Sequence, residues 1–209
     1  MIWKGAAAFS RCKGCNIGEY CSKECQKQAW PSHRTSCQKS QTDRRMLNDE
    51  QRELWDDLQR WAARHRTPLY HGMLAAFDLE RRPQAHETHW LGVHLKYLPK
   101  GAACPDEHLQ IVSISAVEWK STINSCKPFV KHTFDAIFKK RVTLEQQTRS
   151  LPHGATRGIG MVVLFVNLEP TGAMVMELPY RIQSGDIPRR VYGTADWISR
   201  LKQDLEKVQ

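Results

Sequence analysis

The sequence predicts a small cysteine-rich unit at the N-terminus, followed by an α+β domain of mixed helices with a small, mainly antiparallel sheet. Five of the seven cysteines fall within the first 37 residues. In the rest of the chain, helical patterns of apolar residues and alternating strand patterns follow one another. Apolar residues make up 41% of the 209 residues and charged residues 25%, which argues against a wholly disordered chain.

Two domains are expected, with a boundary between residues 40 and 46. Residues 1–40 hold the cysteine cluster. Residues 46–209, about 160 residues, are enough to bury a core of their own. The polar stretch Gln38–Arg45 is expected to be a linker or the start of a helix.

The first half of the larger domain is predicted to contain two helices and two strands. Apolar residues recur on one helical face from Leu47 to Arg66. Pro68 suits the first turn of a second helix, Pro68–Leu79, and Arg81-Arg82-Pro83 ends it. Alternating apolar residues predict strands at His89–Leu98 and Leu109–Ala116.

The second half is predicted to contain a helix, a strand hairpin and a final helix. A helical pattern runs over Pro128–Glu145, and the glycine-rich segment Leu151–Gly160 is expected to be a flexible loop. The apolar run Gly160–Asn167 predicts a buried strand that pairs as a hairpin with Ala173–Ile182. The last helix is expected over Thr194–Val208, with Thr194 as its N-cap.

The cysteine cluster has the spacing of a metal site. Cys-x2-Cys is the zinc-knuckle spacing, and His-x3-Cys places two ligands one helical turn apart on one face. A unit of about 40 residues cannot bury enough apolar surface to fold alone, and bound zinc can supply the missing stability. The sequence therefore predicts a zinc-stabilised finger with the ligand string Cys12-x2-Cys15-x5-Cys21-x3-Cys25-x7-His33-x3-Cys37.

A short helix is expected inside this cluster. Ser22 is a good N-cap for a helix from Lys23 to Trp30, and Pro31 follows it. Spacing alone leaves two groupings of ligands open, because tetrahedral zinc tolerates several loop lengths. One of them places Cys12, Cys15, Cys21 and Cys25 on one ion.

Residues 12–37 resemble a MYND-type zinc finger. The motif is Tyr20-Cys21-Ser22-Lys23-Glu24-Cys25-Gln26-x3-Trp30-x2-His33-x3-Cys37, preceded by the Cys12-x2-Cys15 knuckle. The resemblance implies two interleaved zinc sites. One would be formed by Cys12, Cys15, His33 and Cys37. Cys21 and Cys25 would belong to the other.

The second site lacks its upstream Cys-x2-Cys pair, which at a common family spacing would fall near Met1 and Lys4. Six ligands cannot fill two sites of four. Either the chain start is truncated or the finger holds one zinc. We therefore expect one firmly bound Zn²⁺ per chain, with one complete site and a second, incomplete one.

The resemblance also implies a partner. MYND-type fingers mostly bind short proline-containing peptides in a shallow groove, and Gln26 and Trp30 match the groove residues. The two residues lie one turn apart, so that Trp30 can give apolar contact while the Gln26 amide fixes a peptide backbone. The alternative is that Trp30 packs against the adjacent domain.

Other classes of function have weaker support, and no residue is assigned a catalytic role. The histidines His86, His89 and His94 are expected to lie at the surface or to be hydrogen-bonded, and Cys104 and Cys126 to be spare thiols. Short basic runs favour a solvated face over nucleic-acid binding. The alternatives kept are a MYND-associated enzyme, such as a lysine methyltransferase relative, and a nucleic-acid-associated regulatory protein.

The cellular compartment is predicted from the kinds of segment that the sequence lacks. No apolar run approaches the roughly 20 residues that span a bilayer, and the N-terminus has no secretory core. Clustered cysteines bind metal more often where thiols stay reduced. The sequence therefore predicts an intracellular protein, in the nucleus or cytoplasm, with a protein partner and no membrane partner. The net charge of +9 needs no partner to explain it, because it is in keeping with ordinary solubility.

Overall fold

The fold is described from a computed structural model. It covers residues 10–15, 18–20, 22–98, 108–125, 128–149, 156–168, 172–189, 192–193 and 195–207. The chain divides into two compact units, Met1–Arg60 and Trp61–Gln209. The predictions made for Cys21, Cys104, Cys126 and Thr194 lie outside the described residues.

The first unit begins with a small hairpin and continues as helix. Strand β1 (Ser10–Arg11) pairs antiparallel with β2 (Glu19–Tyr20). Helix α1 spans Lys23–Arg45. Helix α2 spans Asp49–Arg64, close to the bounds that the apolar pattern predicts, and its last four residues belong to the second unit.

Helix α1 confirms one prediction and corrects another. The backbone N–H of Cys25 donates to Ser22 Oγ at 3.2 Å, so Ser22 is the N-cap. The predicted end at Pro31 is wrong, because the helix continues through this proline and includes the stretch Gln38–Arg45. Pro31 lacks the N–H that would bond to the preceding turn, which costs about 3 kcal/mol in a helix interior.

The second unit alternates helices with strands in the predicted order. The elements are α3 (Arg66–Phe77), α4 (Ala85–Thr88), β3 (His89–Tyr97), β4 (Leu109–Glu118), α5 (Trp119–Ser125), α6 (Pro128–Arg149), β5 (Thr156–Leu168), β6 (Gly172–Gln183) and α7 (Trp197–Lys207). The elements missed by the sequence patterns are short: α4, α5 and a 3₁₀ turn at Ser184–Arg189.

The four strands of this unit form one mixed sheet in the order β4-β3-β5-β6. The outer pairings, β3 with β4 and β5 with β6, are antiparallel. The central pairing of β3 with β5 is parallel and runs from Leu91 opposite Val162 to Lys96 opposite Asn167. The α+β prediction is confirmed. Two pairings in three are antiparallel, and the long connection through α5 and α6 makes the central one parallel.

Helices cover both faces of β5. On one face, Met161 and Phe165 belong to an aromatic core that includes Trp119 of α5 and Phe134 of α6. On the other face, a Cβ placed at Gly160 would lie 2.5 Å from Met73 Sδ of α3. A strand buried on both faces is a nearly continuous apolar run, and this is why β5 could be recognised from the sequence.

The glycine-rich segment was predicted as a flexible loop, and this is wrong for the part that the structure describes. Gly158 and Gly160 lie within β5 and are buried. A Cβ at Gly158 would clash with the imidazole of His86. Both glycines are therefore explained by close packing against large side chains.

No helix in the described part of the chain is both long and apolar enough to cross a lipid bilayer.

Candidate metal centre

Four predicted ligands of the first unit converge on one point. The Sγ atoms of Cys12, Cys15 and Cys37 and a ring nitrogen of His33 all lie within 4.8 Å of one another. The three cysteines are almost fully buried, with at most 4% of each exposed. Cys12 and Cys15 therefore group with His33 and Cys37 among the described residues.

The distances between these atoms fit a tetrahedral zinc ion. Zn–S bonds of about 2.3 Å and Zn–N bonds of about 2.0–2.1 Å give an S···S edge of about 3.8 Å and an S···N edge of about 3.6 Å. The Sγ atoms of Cys12 and Cys37 are 3.7 Å apart. Cys15 Sγ lies 3.5 Å from His33 Nε2. Both distances agree with these two edges, and the Sγ–Sγ distance is too long for a disulfide, which needs about 2.05 Å.

Two local structures hold the four ligands in place. The first is the knuckle between β1 and β2, where the backbone N–H of Cys12 donates to Gly18 O at 2.8 Å. The second is α1, which carries His33 and Cys37 one turn apart. Gly14 lies inside the knuckle, and a Cβ there would come within 3.0 Å of Cys37 Sγ. A glycine at this position lets the knuckle approach the helix.

The local environment shifts the pKa values of the Cys12 and Cys37 thiols in opposite directions. Burial works to raise the pKa of Cys12, but hydrogen bonds with the Cys15 and Gly14 backbone, with His33 and with Cys37 outweigh it and lower the pKa to about 6. Burial raises the pKa of Cys37 to about 11. In the metal-free site, Cys12 is thus a thiolate at neutral pH while Cys37 holds its proton, which an incoming cation displaces.

The shell around the ligands contains side chains that the sequence patterns did not single out as contacts. Gln41 Nε2 donates to Cys37 Sγ at 3.3 Å from one turn further along α1. The rings of Tyr20 and Trp30 meet the His33 ring edge-on, with centroids 5.8 Å and 6.0 Å away. The i, i+4 spacing of Gln41 from Cys37 was the one available signal, and it could not be used because the helix was expected to end at Pro31.

The other predicted site residues have separate positions. Gln26 and Trp30 lie on the first two turns of α1, and Trp30 is 41% exposed. Cys25 is half-buried on the same helix. Cys21, its predicted companion, lies outside the described residues.

A tetrahedral set of three cysteines and one histidine, split between a knuckle and a helix, is the ligand set of a structural zinc finger. Comparison with known proteins gives the particular class. Residues 4–37 match the model of the MYND finger family. The N-terminal unit therefore carries a MYND finger, a non-catalytic zinc-binding module that typically mediates protein–protein interaction.

Two curated relatives share this segment. Histone-lysine N-methyltransferase SMYD3 of Mus musculus is 52% identical over 33 residues, and that of Homo sapiens is 46% identical over 33 residues. The matched segment is 16% of this chain and spans 8% of the length of each relative. No solved structure matches the chain significantly. The likeness to the two methyltransferases is thus a likeness of the finger.

Proposed function

We propose that the finger is a peptide-docking module and that its bound zinc holds the docking residues, Gln26 and Trp30, in place. The partner is a protein segment containing proline. The observation that carries the proposal is the exposed Trp30 ring, which lies against the ligand His33. The zinc ligands in this proposal are Cys12, Cys15, His33 and Cys37.

The surface around Trp30 supports docking. Large apolar side chains at the centre of an interface contribute most of the binding energy, and tryptophan is enriched among them. Gln26 is half-buried one turn earlier and offers both a donor and an acceptor to an extended backbone. The two side chains therefore combine apolar contact with backbone recognition.

A binding experiment with immobilised proline-containing peptides tests the proposal. Trp30→Ala is expected to weaken binding by at least about tenfold, as for an interface hot spot, with the zinc content unchanged. Met46→Ala is the matched control, because Met46 is also an exposed apolar residue of the first unit, 83% exposed. Unchanged peptide binding by a zinc-loaded Trp30→Ala protein would remove the groove assignment.

We also propose that the finger holds one zinc ion and that Cys21 and Cys25 form an incomplete second site. Two thiolates alone give half of a tetrahedral set. Zinc stoichiometry should therefore be the same in the natural protein and in Cys25→Ser. A tightly bound ion that is lost on this replacement would contradict the one-zinc finger.

The methyltransferase alternative is supported by the shared finger alone, and the proposed role is therefore binding without catalysis. The second unit has no assigned role in peptide docking. We place the protein inside the cell, in the nucleus or cytoplasm, because reduced thiols are needed for a zinc site of this kind. Measurement of methyl transfer to histone peptides would separate the two classes, since a docking module transfers none.

A further inference from the structure

A second cluster of possible metal ligands lies in the second unit, far from the finger in sequence. His86 and Glu87 belong to helix α4, and Glu145 lies on α6. One ring nitrogen of His86 and one carboxylate oxygen of each glutamate all lie within 4.8 Å of one another. His86 Nε2 is 3.8 Å from Glu87 Oε1. The structure therefore brings two carboxylates close to this histidine.

His86 itself is the unusual member of the cluster. Its side chain is 3% exposed, and neither ring nitrogen has a hydrogen-bond partner among the described residues. The expectation that this histidine would be exposed or hydrogen-bonded is therefore wrong within that part of the chain. A buried polar atom without a hydrogen-bond partner is destabilising, and a bound ion is one of the standard explanations for it.

The packing around His86 keeps the imidazole beside the carboxylates. A Cβ at Gly158 would clash with the ring, so the backbone of β5 closes against it. On the other side of the cluster, Arg141 Nη1 donates to Glu145 Oε2 at 2.5 Å, and both side chains are buried. This ion pair holds the Glu145 carboxylate in place within the cluster.

We propose that His86, Glu87 and Glu145 form a binding site for a divalent transition-metal ion such as Zn²⁺. A histidine nitrogen with two carboxylates is a donor set that zinc and its neighbours accept. Tetrahedral bonds of about 2.1 Å place donor atoms about 3.4 Å apart, so side-chain adjustments of up to about 1.4 Å close the present cluster around an ion. Glu87 has 38% of its side chain exposed and provides the route of entry.

Charges of both signs surround the imidazole. The carboxylates of Glu87 and Glu145 and the guanidinium groups of Arg141 and Arg157 all act electrostatically on His86, and Arg141 is paired with Glu145. The three protein ligands leave one tetrahedral position for water, as in zinc sites that are not closed.

Cobalt binding to the full chain separates this site from the finger. Co²⁺ in the finger produces a thiolate-to-metal charge-transfer band, whereas Co²⁺ held by nitrogen and oxygen produces none. We expect equilibrium dialysis to find one further Co²⁺ per chain beyond the ion reported by the charge-transfer band. Glu87→Gln should weaken that further ion at least about 100-fold, because even outer-shell changes cost 10- to 100-fold.

Control variants separate loss of the proposed site from loss of metal elsewhere in the chain. Glu118→Gln replaces another exposed glutamate of the same unit and should leave both ions bound. Cys25→Ser should also leave the further ion in place. His86→Asn should remove it, and Glu87→Gln decides the matter if His86→Asn fails to fold. Absence of a further ion at saturating Co²⁺, or its retention in a folded Glu87→Gln protein, would overturn the proposal.

Discussion

Single residues set the dimensions of the finger. Gly14 is the point where the knuckle meets helix α1: a Cβ there would lie 2.9 Å from Gln41 Nε2 and 3.0 Å from Cys37 Sγ. Side chains that support ligands change metal affinity by 10- to 100-fold when they are altered. The size of the residue at position 14 therefore bears directly on zinc binding.

We predict that Gly14→Ala weakens zinc binding by about tenfold, because the added methyl group displaces Gln41 or the Cys37 thiolate. Titration against a chelator of known affinity measures the change. Gly185→Ala is the control, since a Cβ at Gly185 has open space around it. Equal affinity in both variants would show that the knuckle adapts without cost.

Zinc binding should also release protons. The pKa of Cys37 is raised by burial to about 11, so the metal-free thiol is protonated at neutral pH, and zinc requires the thiolate. We expect release of at least about one proton per zinc near pH 7. Calorimetry in two buffers of different ionisation enthalpy measures it, and identical heats in both would contradict the expectation.

His65 gives the second unit an acid-sensitive stability. The imidazole is 2% exposed, and its Nδ1 is 2.8 Å from Trp61 O, where it donates. Burial lowers the pKa of His65. The unfolded chain therefore takes up a proton before the folded chain does, and stability is lost as the pH falls below about 6.5.

We predict that His65→Phe unfolds more readily than the natural protein at neutral pH but loses less stability between about pH 7 and pH 5.5. Urea unfolding followed by circular dichroism measures both quantities. The pKa of half-buried His94 is also lowered by partial burial, so this histidine keeps part of the acid sensitivity. A pH dependence that is identical with and without His65 would exclude this residue as its source.

At the scale of secondary-structure elements, sequence patterns predicted the features that depend on short stretches of chain. The knuckle spacing and the i, i+4 spacing of His33 and Cys37 located four side chains that the fold brings together as a possible metal site, because both spacings depend on short stretches of chain. The continuous apolar run of β5 located a buried strand. The continuation of α1 beyond Pro31 was missed, because local rules penalise a proline inside a helix and take no account of contacts made farther along.

Such patterns do not predict contacts between segments that are distant in the chain. The approach of Glu145 to His86 depends on how α6 packs beside α4 and β5, and nothing in the spacing of these residues predicts it. Gly158 was wrongly assigned to a flexible loop. A sequence does not distinguish a glycine that is needed for close packing from one that is needed for backbone flexibility.

Two substitutions test whether helix α1 is continuous through Pro31. We predict that Pro31→Ala stabilises the zinc-loaded finger by up to about 3 kcal/mol, because alanine restores a backbone N–H inside the helix. Ser22→Ala should have the opposite effect, about 1 kcal/mol of destabilisation, because it removes the N-cap. Thermal unfolding of both variants measures the changes, and a destabilising Pro31→Ala would contradict a continuous helix.

At the scale of the whole molecule, the two units are stabilised by different means. In the finger, which is the part of the first unit before α2, the described cluster of buried apolar residues consists of the candidate ligands Cys12, Cys15 and Cys37, with Tyr20 packed against it. The second unit has an aromatic and aliphatic core around Trp90 and Phe165. Structural zinc supplies on the order of 10–16 kcal/mol in small fingers, whereas a unit of about 150 residues stabilises itself.

We therefore predict that a strong zinc chelator unfolds the first unit and leaves the second unit folded. Hydrogen exchange should show loss of protection along α1, with β3 and β5 still protected. Reloading with zinc should restore the protection of α1. Simultaneous loss of protection in both units would show that the zinc stabilises the chain as a whole.

The continuity of α1 also bears on insertions and deletions. An α-helix turns by about 100° per residue. A residue inserted between Trp30 and His33 would rotate the exposed indole by that angle around the helix relative to the metal. A substitution at exposed Ser32 changes neither the direction of the Trp30 indole nor that of the His33 side chain. The number of residues between the indole and the metal ligand is thus a stricter constraint than their identity.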